Sequence, residues 1–76
     1  MKLKPLSSNK VIKTLEKMRF QKVRQKGSHI FMRHPDGRTT LVPVHKGEDI
    51  GRGLLRKIMR DVKTKREEFL KLAEEV

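Results

Sequence analysis

The chain has no cysteine, no tryptophan and no tyrosine, and three phenylalanines are the only aromatics in its 76 residues. Missing thiols exclude disulfides, thiolate metal sites and cysteine nucleophiles together. Apolar residues are also scarce, at 34% against 38% charged, so the core is expected to be thin and built from aliphatic side chains and methionine. No apolar run approaches the roughly 18 residues of a membrane span, and the first residues lack the apolar stretch of a secretory signal. A cytoplasmic protein without membrane association, folded as one domain over residues 1–76, is the expectation.

Acidic residues are few as well, and what fills the space is positive charge. Twenty Lys and Arg against nine Asp and Glu give a formal net charge of +11, which points to a polyanionic partner. Residues 1–38 carry 11 basic and 2 acidic side chains, whereas residues 39–76 carry 9 and 7. Within the first half, Lys17, Arg19, Lys22, Arg24 and Lys26 form a candidate phosphate-binding stripe, whose affinity would fall with salt through counterion release. With no interleaved aromatics, base stacking of the single-strand-binding kind is not supported.

Ser7 and Ser8 supply N-cap hydroxyls, and Val11, Ile12, Leu15 and Met18 recur at helical spacing, which predicts an amphipathic helix over 8–18. Residues 20–26 read as a short, charged edge strand. In His34-Pro35-Asp36-Gly37-Arg38, proline presets φ for the first turn position and glycine accepts the left-handed region, as in a type I turn with a G1 bulge. The flanking strands, 28–34 and 38–45, then pair Met32 with Thr40, Ile30 with Val42 and Ser28 with Val44. Ile30, Met32, Val42 and Val44 share the face to be covered by helices, and Ser28 is expected on that side. His29, Phe31, Arg33, Leu41, Pro43 and His45 take the other, partly open face.

A flexible link at 46–49 precedes a second amphipathic helix with Leu54, Leu55, Ile58, Met59 and Val62 on its apolar side. Gly51 and Gly53 near its start read as turn or close-approach residues. A third helix is predicted from Thr64, with Thr64 and Glu67 as a capping box. The fold expected is α+β, of the double-stranded-RNA-binding-domain type: α-β-β-β-α(-α), a three-stranded antiparallel sheet with helices on one face.

The three histidines hold the remaining options for chemistry. Ser28 and His29 are neighbours on a strand and point to opposite faces, so they make no hydrolase pair. His29 and His45 share a face but lack a third ligand, and no metal or cofactor is expected. His34 reads as a turn-flanking residue. Cleavage of RNA asks for less, because the 2′-hydroxyl is an internal nucleophile: an imidazole to move protons and a cation for the phosphate suffice. His29 follows Gly27, where a phosphate could approach, and lies just after the basic stripe. A non-catalytic module that holds duplex RNA, and a basic surface for an acidic protein, remain alternatives.

Gly27-Ser28-His29, Arg33 to Arg38, Val42-Pro43-Val44-His45, Gly53 to Ile58 and Glu67-Glu68-Phe69-Leu70, in that order, resemble the HicA (YcfA-like) toxins of HicAB toxin–antitoxin systems. The resemblance implies a metal-independent mRNA interferase, an endoribonuclease toxin of a type II system, with His29 as its catalytic residue and a HicB-like antitoxin as partner. On that reading Lys22, Arg24, Lys26, Gly27, Ser28 and Arg33 are the RNA-contacting candidates, and the free protein is expected to be a monomer. Two positions depart from the family's pattern: Arg19 stands where glycine is usual, and Leu54 where threonine is usual.

Overall fold

A computed structural model describes residues 2–76. The chain runs β1 (Leu6–Ser7), α1 (Ser8–Lys17), β2 (Gln21–Lys26), β3 (His29–Arg33), β4 (Thr39–Pro43), β5 (Asp49–Ile50), α2 (Arg52–Asp61) and α3 (Arg66–Glu74). Strands β2, β3 and β4 form an antiparallel sheet in that order. Its helices lie on one face, which is the α-β-β-β-α-α plan of the double-stranded-RNA-binding-domain-like folds.

The helix α1 starts where its chemistry dictates, because the Ser7 hydroxyl accepts a hydrogen bond from the Lys10 amide at 3.1 Å. It stops in a Schellman motif: the Phe20 amide donates to the Leu15 carbonyl and the Arg19 amide to Glu16. That motif needs a left-handed residue, and Arg19 supplies it at φ 75°. The departure from glycine at this position therefore carries a conformational cost. A second Schellman motif closes α2, with Lys63 at φ 55° and amide bonds from Thr64 to Met59 and from Lys63 to Arg60. Since the Thr64 amide is engaged in ending α2, it is not free to donate to the Glu67 carboxylate as a capping box requires. The N-cap of α3 is Lys65 without a side-chain bond, and the expected Thr64–Glu67 capping box is absent; Thr64 instead reaches Glu68 at 3.4 Å.

The hairpin register agrees with the turn chemistry: Ile30 pairs with Val42 and Met32 with Thr40, and the Val44 amide donates to the Ser28 carbonyl. Gly37 takes φ 100° at the tip. Ile30, Met32 and Val42 are buried beneath α1, α2 and α3, together with Val11, Leu15, Leu55, Ile58 and Phe69. Burial of such side chains contributes about 1.5–3 kcal/mol each. Leu54 does not join them: it is 36% exposed, because α2 begins at Arg52 and turns Leu55 rather than its neighbour into the core.

Three features were not visible in the local pattern. Leu6 and Ser7 pair with Ile50 and Asp49, so the segment read as a flexible link contains a turn and a short strand. This pairing brings Leu3 and Ile50 into the core. Gly51 is the N-cap of α2, and neither it nor Gly53 has any atom near its missing Cβ, so no close approach within the chain explains them.

The hairpin tip is clasped to the helices by polar and aromatic contacts. His34 packs edge-on against buried Phe20 at 5.2 Å, the Arg38 guanidinium lies 5.3 Å from the same ring, and Arg38 Nη1 donates to the Val62 carbonyl. His34 Nδ1 lies 3.1 Å from the Asp36 amide and 3.0 Å from its carboxylate. On the core side, the Thr40 hydroxyl donates to Asp61 at 3.0 Å, which leaves this buried polar group satisfied.

Replacing Arg19 or Lys63 by glycine should raise stability by about 0.5–1 kcal/mol each, since relief of the left-handed strain outweighs the added freedom of the unfolded chain. Urea unfolding measures this directly. The Arg38 amide, and then the Arg38 guanidinium, hold the Asp36 carboxyl below its ordinary value of 3.8. The stabilisation is therefore present above the unfolded-state pKa and lost as pH falls through the lower folded value. Asp36→Asn should flatten the acid limb of stability against pH below about 4 and leave its neutral region parallel to wild type.

Candidate functional site

A strand's alternation decides what the uncovered face carries, and cross-strand partners point to the same side. The pairing gives three rows across β2, β3 and β4: Lys26, His29 and Pro43; Arg24, Phe31 and Leu41; Gln21, Arg33 and Thr39. No helix lies over them. His29 is exposed, and it is flanked by Lys26 and, one row on, by Arg24. Arg24, Lys26, His29, Phe31 and Leu41 line a shallow depression of about 440 Å³. The Arg24 guanidinium lies 5.6 Å from the Phe31 ring, a cation–π contact that holds it over the sheet.

Of the stripe read from the sequence, the structure gathers Arg24 and Lys26 with His29 but sets Lys22 apart. The pairing shifts at Val23: Lys22 pairs with Met32 and Arg24 with Phe31, leaving Val23 as a bulge. An unbroken ladder would put Lys22 opposite Arg33 and bury Val23 against Met32. The bulge places Gln21 opposite Arg33 instead and removes a like-charge pair, at the expense of leaving Val23 47% exposed. Lys22 and Arg33 border another depression, beside the hairpin tip. One aromatic, Phe31, does stand at the centre of the open face, a placement that composition could not give.

Gly27 and Ser28 form the two-residue loop between β2 and β3. Gly27 has φ 58° and Ser28 does not share the positive sign, the signature of a type II′ hairpin turn. Ser28 is thus a half-buried loop residue rather than a helix-facing strand position. The loop brings β2 back antiparallel to β3 and sets Lys26 beside His29. Apart from its neighbours Lys26 and Ser28, nothing lies within 4 Å of where a Cβ on Gly27 would stand, so the approach to the loop is open. His45 lies past β4 and is exposed, and no group of three or more His, Asp or Glu converges among the described residues.

Architecture and surface together define a basic α+β protein of the double-stranded-RNA-binding-domain-like class, with a histidine and cations on the uncovered sheet face. Residues 8–63 match the family described as the HicA toxin of bacterial toxin–antitoxin systems, and the chain belongs to that family. It is a toxin of that kind, and membership implies a cognate antitoxin partner. The matched span ends before Glu67-Glu68-Phe69-Leu70, and a comparison with curated proteins gives no match. Among the described residues no helix is long and apolar enough to cross a membrane.

Gly27→Ala should cost about 1 kcal/mol through its left-handed φ alone, since space for the methyl is free. Chemical denaturation would detect it, and Gly27→Asn, which tolerates that region better, should cost less.

Proposed function

We propose that the protein is an endoribonuclease acting on mRNA, with His29 as its catalytic residue and Arg24 and Lys26 as its nearest phosphate-holding groups. The observation that carries this reading is the gathering of His29, Lys26 and Arg24 in one open depression of a HicA-family chain. Arg33, Gly27 and Ser28 extend the contact surface along the sheet and over the loop, and Lys22 would touch only RNA that bends around the edge.

The chemistry follows from RNA itself. His29 as base takes the proton of the 2′-hydroxyl, the 2′-oxygen attacks phosphorus, and the bond to the 5′-oxygen breaks. A 2′,3′-cyclic phosphate and a 5′-hydroxyl result, the leaving oxygen receiving its proton from water or from His29 in the acid role. Lys26 and Arg24 offset the charge that builds on the non-bridging oxygens. No step calls for a metal ion. The whole chain acts as one domain in the cytoplasm, where mRNA is found, and as a monomer when free. Support for the monomer is the edge strand β2, whose Lys22, Arg24, Lys26 and bulge discourage pairing with a second copy. The cognate antitoxin, HicB-like by family, would silence it. The fold alone would equally suit a module that holds duplex RNA without cutting it.

Purified protein should cut RNA in EDTA, and His29→Ala should retain the fold and RNA binding while losing about 10²–10⁴-fold in rate. Equal cutting by both proteins removes His29 from the mechanism. Salt-sensitive binding with no cutting by wild type favours the holding module instead.

A further inference from the structure

A second basic surface lies away from the sheet. Lys2 and Lys4, from the extended N-terminal segment, meet Arg52 and Arg56 of α2 and Arg66 of α3 around an open cleft of about 710 Å³ that no carboxylate lines. All five cations are exposed, and none takes part in a salt bridge among the described residues. Arg52 and Arg56 are one turn apart, so they repel across the same helix face. Three separate elements thus bring like charges together with no ion pair among the described residues to offset them, although Glu74 shares a neighbouring depression with Lys2 and Lys4, and a bound polyanion would relieve the repulsion.

The chemistry of the lining favours phosphates over an acidic protein. Arginine's planar fork matches phosphate oxygens in pairs. Protein hot spots pair arginine with aromatic anchors in well-packed, desolvated pockets, whereas this cleft is open, no aromatic side chain lines it, and its Leu3 is already buried in the core. The start of α2 adds to the field: its N-cap is Gly51 without a side-chain bond, and no acid stands in its first turn. Lys2, Lys4 and Arg66 fall outside the matched residues 8–63, and Arg52 and Arg56 fall within them.

The cleft also has a path to the sheet. Pro43 pairs with His29, and it borders a depression with His45, Gly51 and Leu54 at the N-cap of α2; Glu48 and Asp49 also line it, so a phosphate chain running from the sheet to the cleft would have to pass clear of their carboxylates. We propose that the cleft is a second phosphate-backbone subsite, which grips the RNA chain at a distance from the bond that His29 cuts. The proposal rests on RNA being the substrate, and it assigns the cleft to binding rather than to chemistry.

The test uses full-length His29→Ala protein, a labelled single-stranded RNA of mixed sequence, and fluorescence anisotropy over a series of salt concentrations. Adding Arg52→Gln, Arg56→Gln and Arg66→Gln should lower the slope of log K against log salt by about 2, at roughly 0.7 per lost phosphate contact. Replacing the same arginines by lysine should keep the slope. With His29 intact, the glutamine triple should raise KM about 10-fold or more and leave kcat unchanged. Lys2→Gln with Lys4→Gln, on the extended segment, provides a variant that leaves the helices untouched and should lower the slope by about 1. An unchanged slope in variants with a wild-type circular dichroism spectrum overturns the subsite. So does a loss confined to antitoxin binding. Wild-type protein that binds RNA but does not cut it refutes the enzyme reading, while the slopes still decide the cleft.

Discussion

Everything the open face can do depends on the register of β3. Its side chains alternate between Ile30 and Met32 in the core and His29, Phe31 and Arg33 outside. A slip of one residue would exchange the two sets, exposing two large aliphatic side chains and burying an arginine without a partner, a difference of several kcal/mol. Two turns hold the strand in place, Gly27-Ser28 on one side and Pro35-Asp36-Gly37 on the other. Each has a left-handed glycine where its turn type requires one. Packing energy spent on a thin core thereby also fixes where the imidazole and the guanidinium groups stand.

A small core and a large net charge set a second balance. A charge of +11 on a molecule about 31 × 30 × 21 Å across pushes against compaction. Among the described residues only a few ion pairs relieve it, and they lie at the hairpin tip, near the end of α2 and between Lys17 and Glu75 rather than on the surfaces proposed to meet RNA. Binding an anion would therefore stabilise the fold as well as the complex, by mass action on the native state.

Much of this was legible from residues alone. The turn chemistry of Pro35-Asp36-Gly37 fixed the hairpin pairing, and through it the face on which His29 stands. The 3.6-residue spacing located α1 and α2. What escaped depends on contacts between distant segments. The pairing of Leu6 with Ile50 has no local signature, and the bulge at Val23 depends on cross-strand partners in β3 that the pattern of β2 alone does not show. The capping-box pattern at Thr64 was outweighed by the end of the preceding helix, which had already claimed that residue's amide. Arg52 and Arg56 lie off the apolar side of their helix, and only the tertiary structure sets Lys2, Lys4 and Arg66 beside them.

The clasp at the hairpin tip bears on how the molecule comes apart. Arg38 joins the turn to Phe20 after α1 and to Val62 at the end of α2, so fraying of the hairpin tip must break contacts with both helix ends. Hydrogen exchange would then see β3, β4, α1 and α2 open as one cooperative unit. The segment 2–6 is tied to the rest by the pairing with β5 and by Leu3 in the core. The sheet surface thus stands within one unit, whereas the cleft exists only while the N-terminal segment stays docked beside α2 and α3.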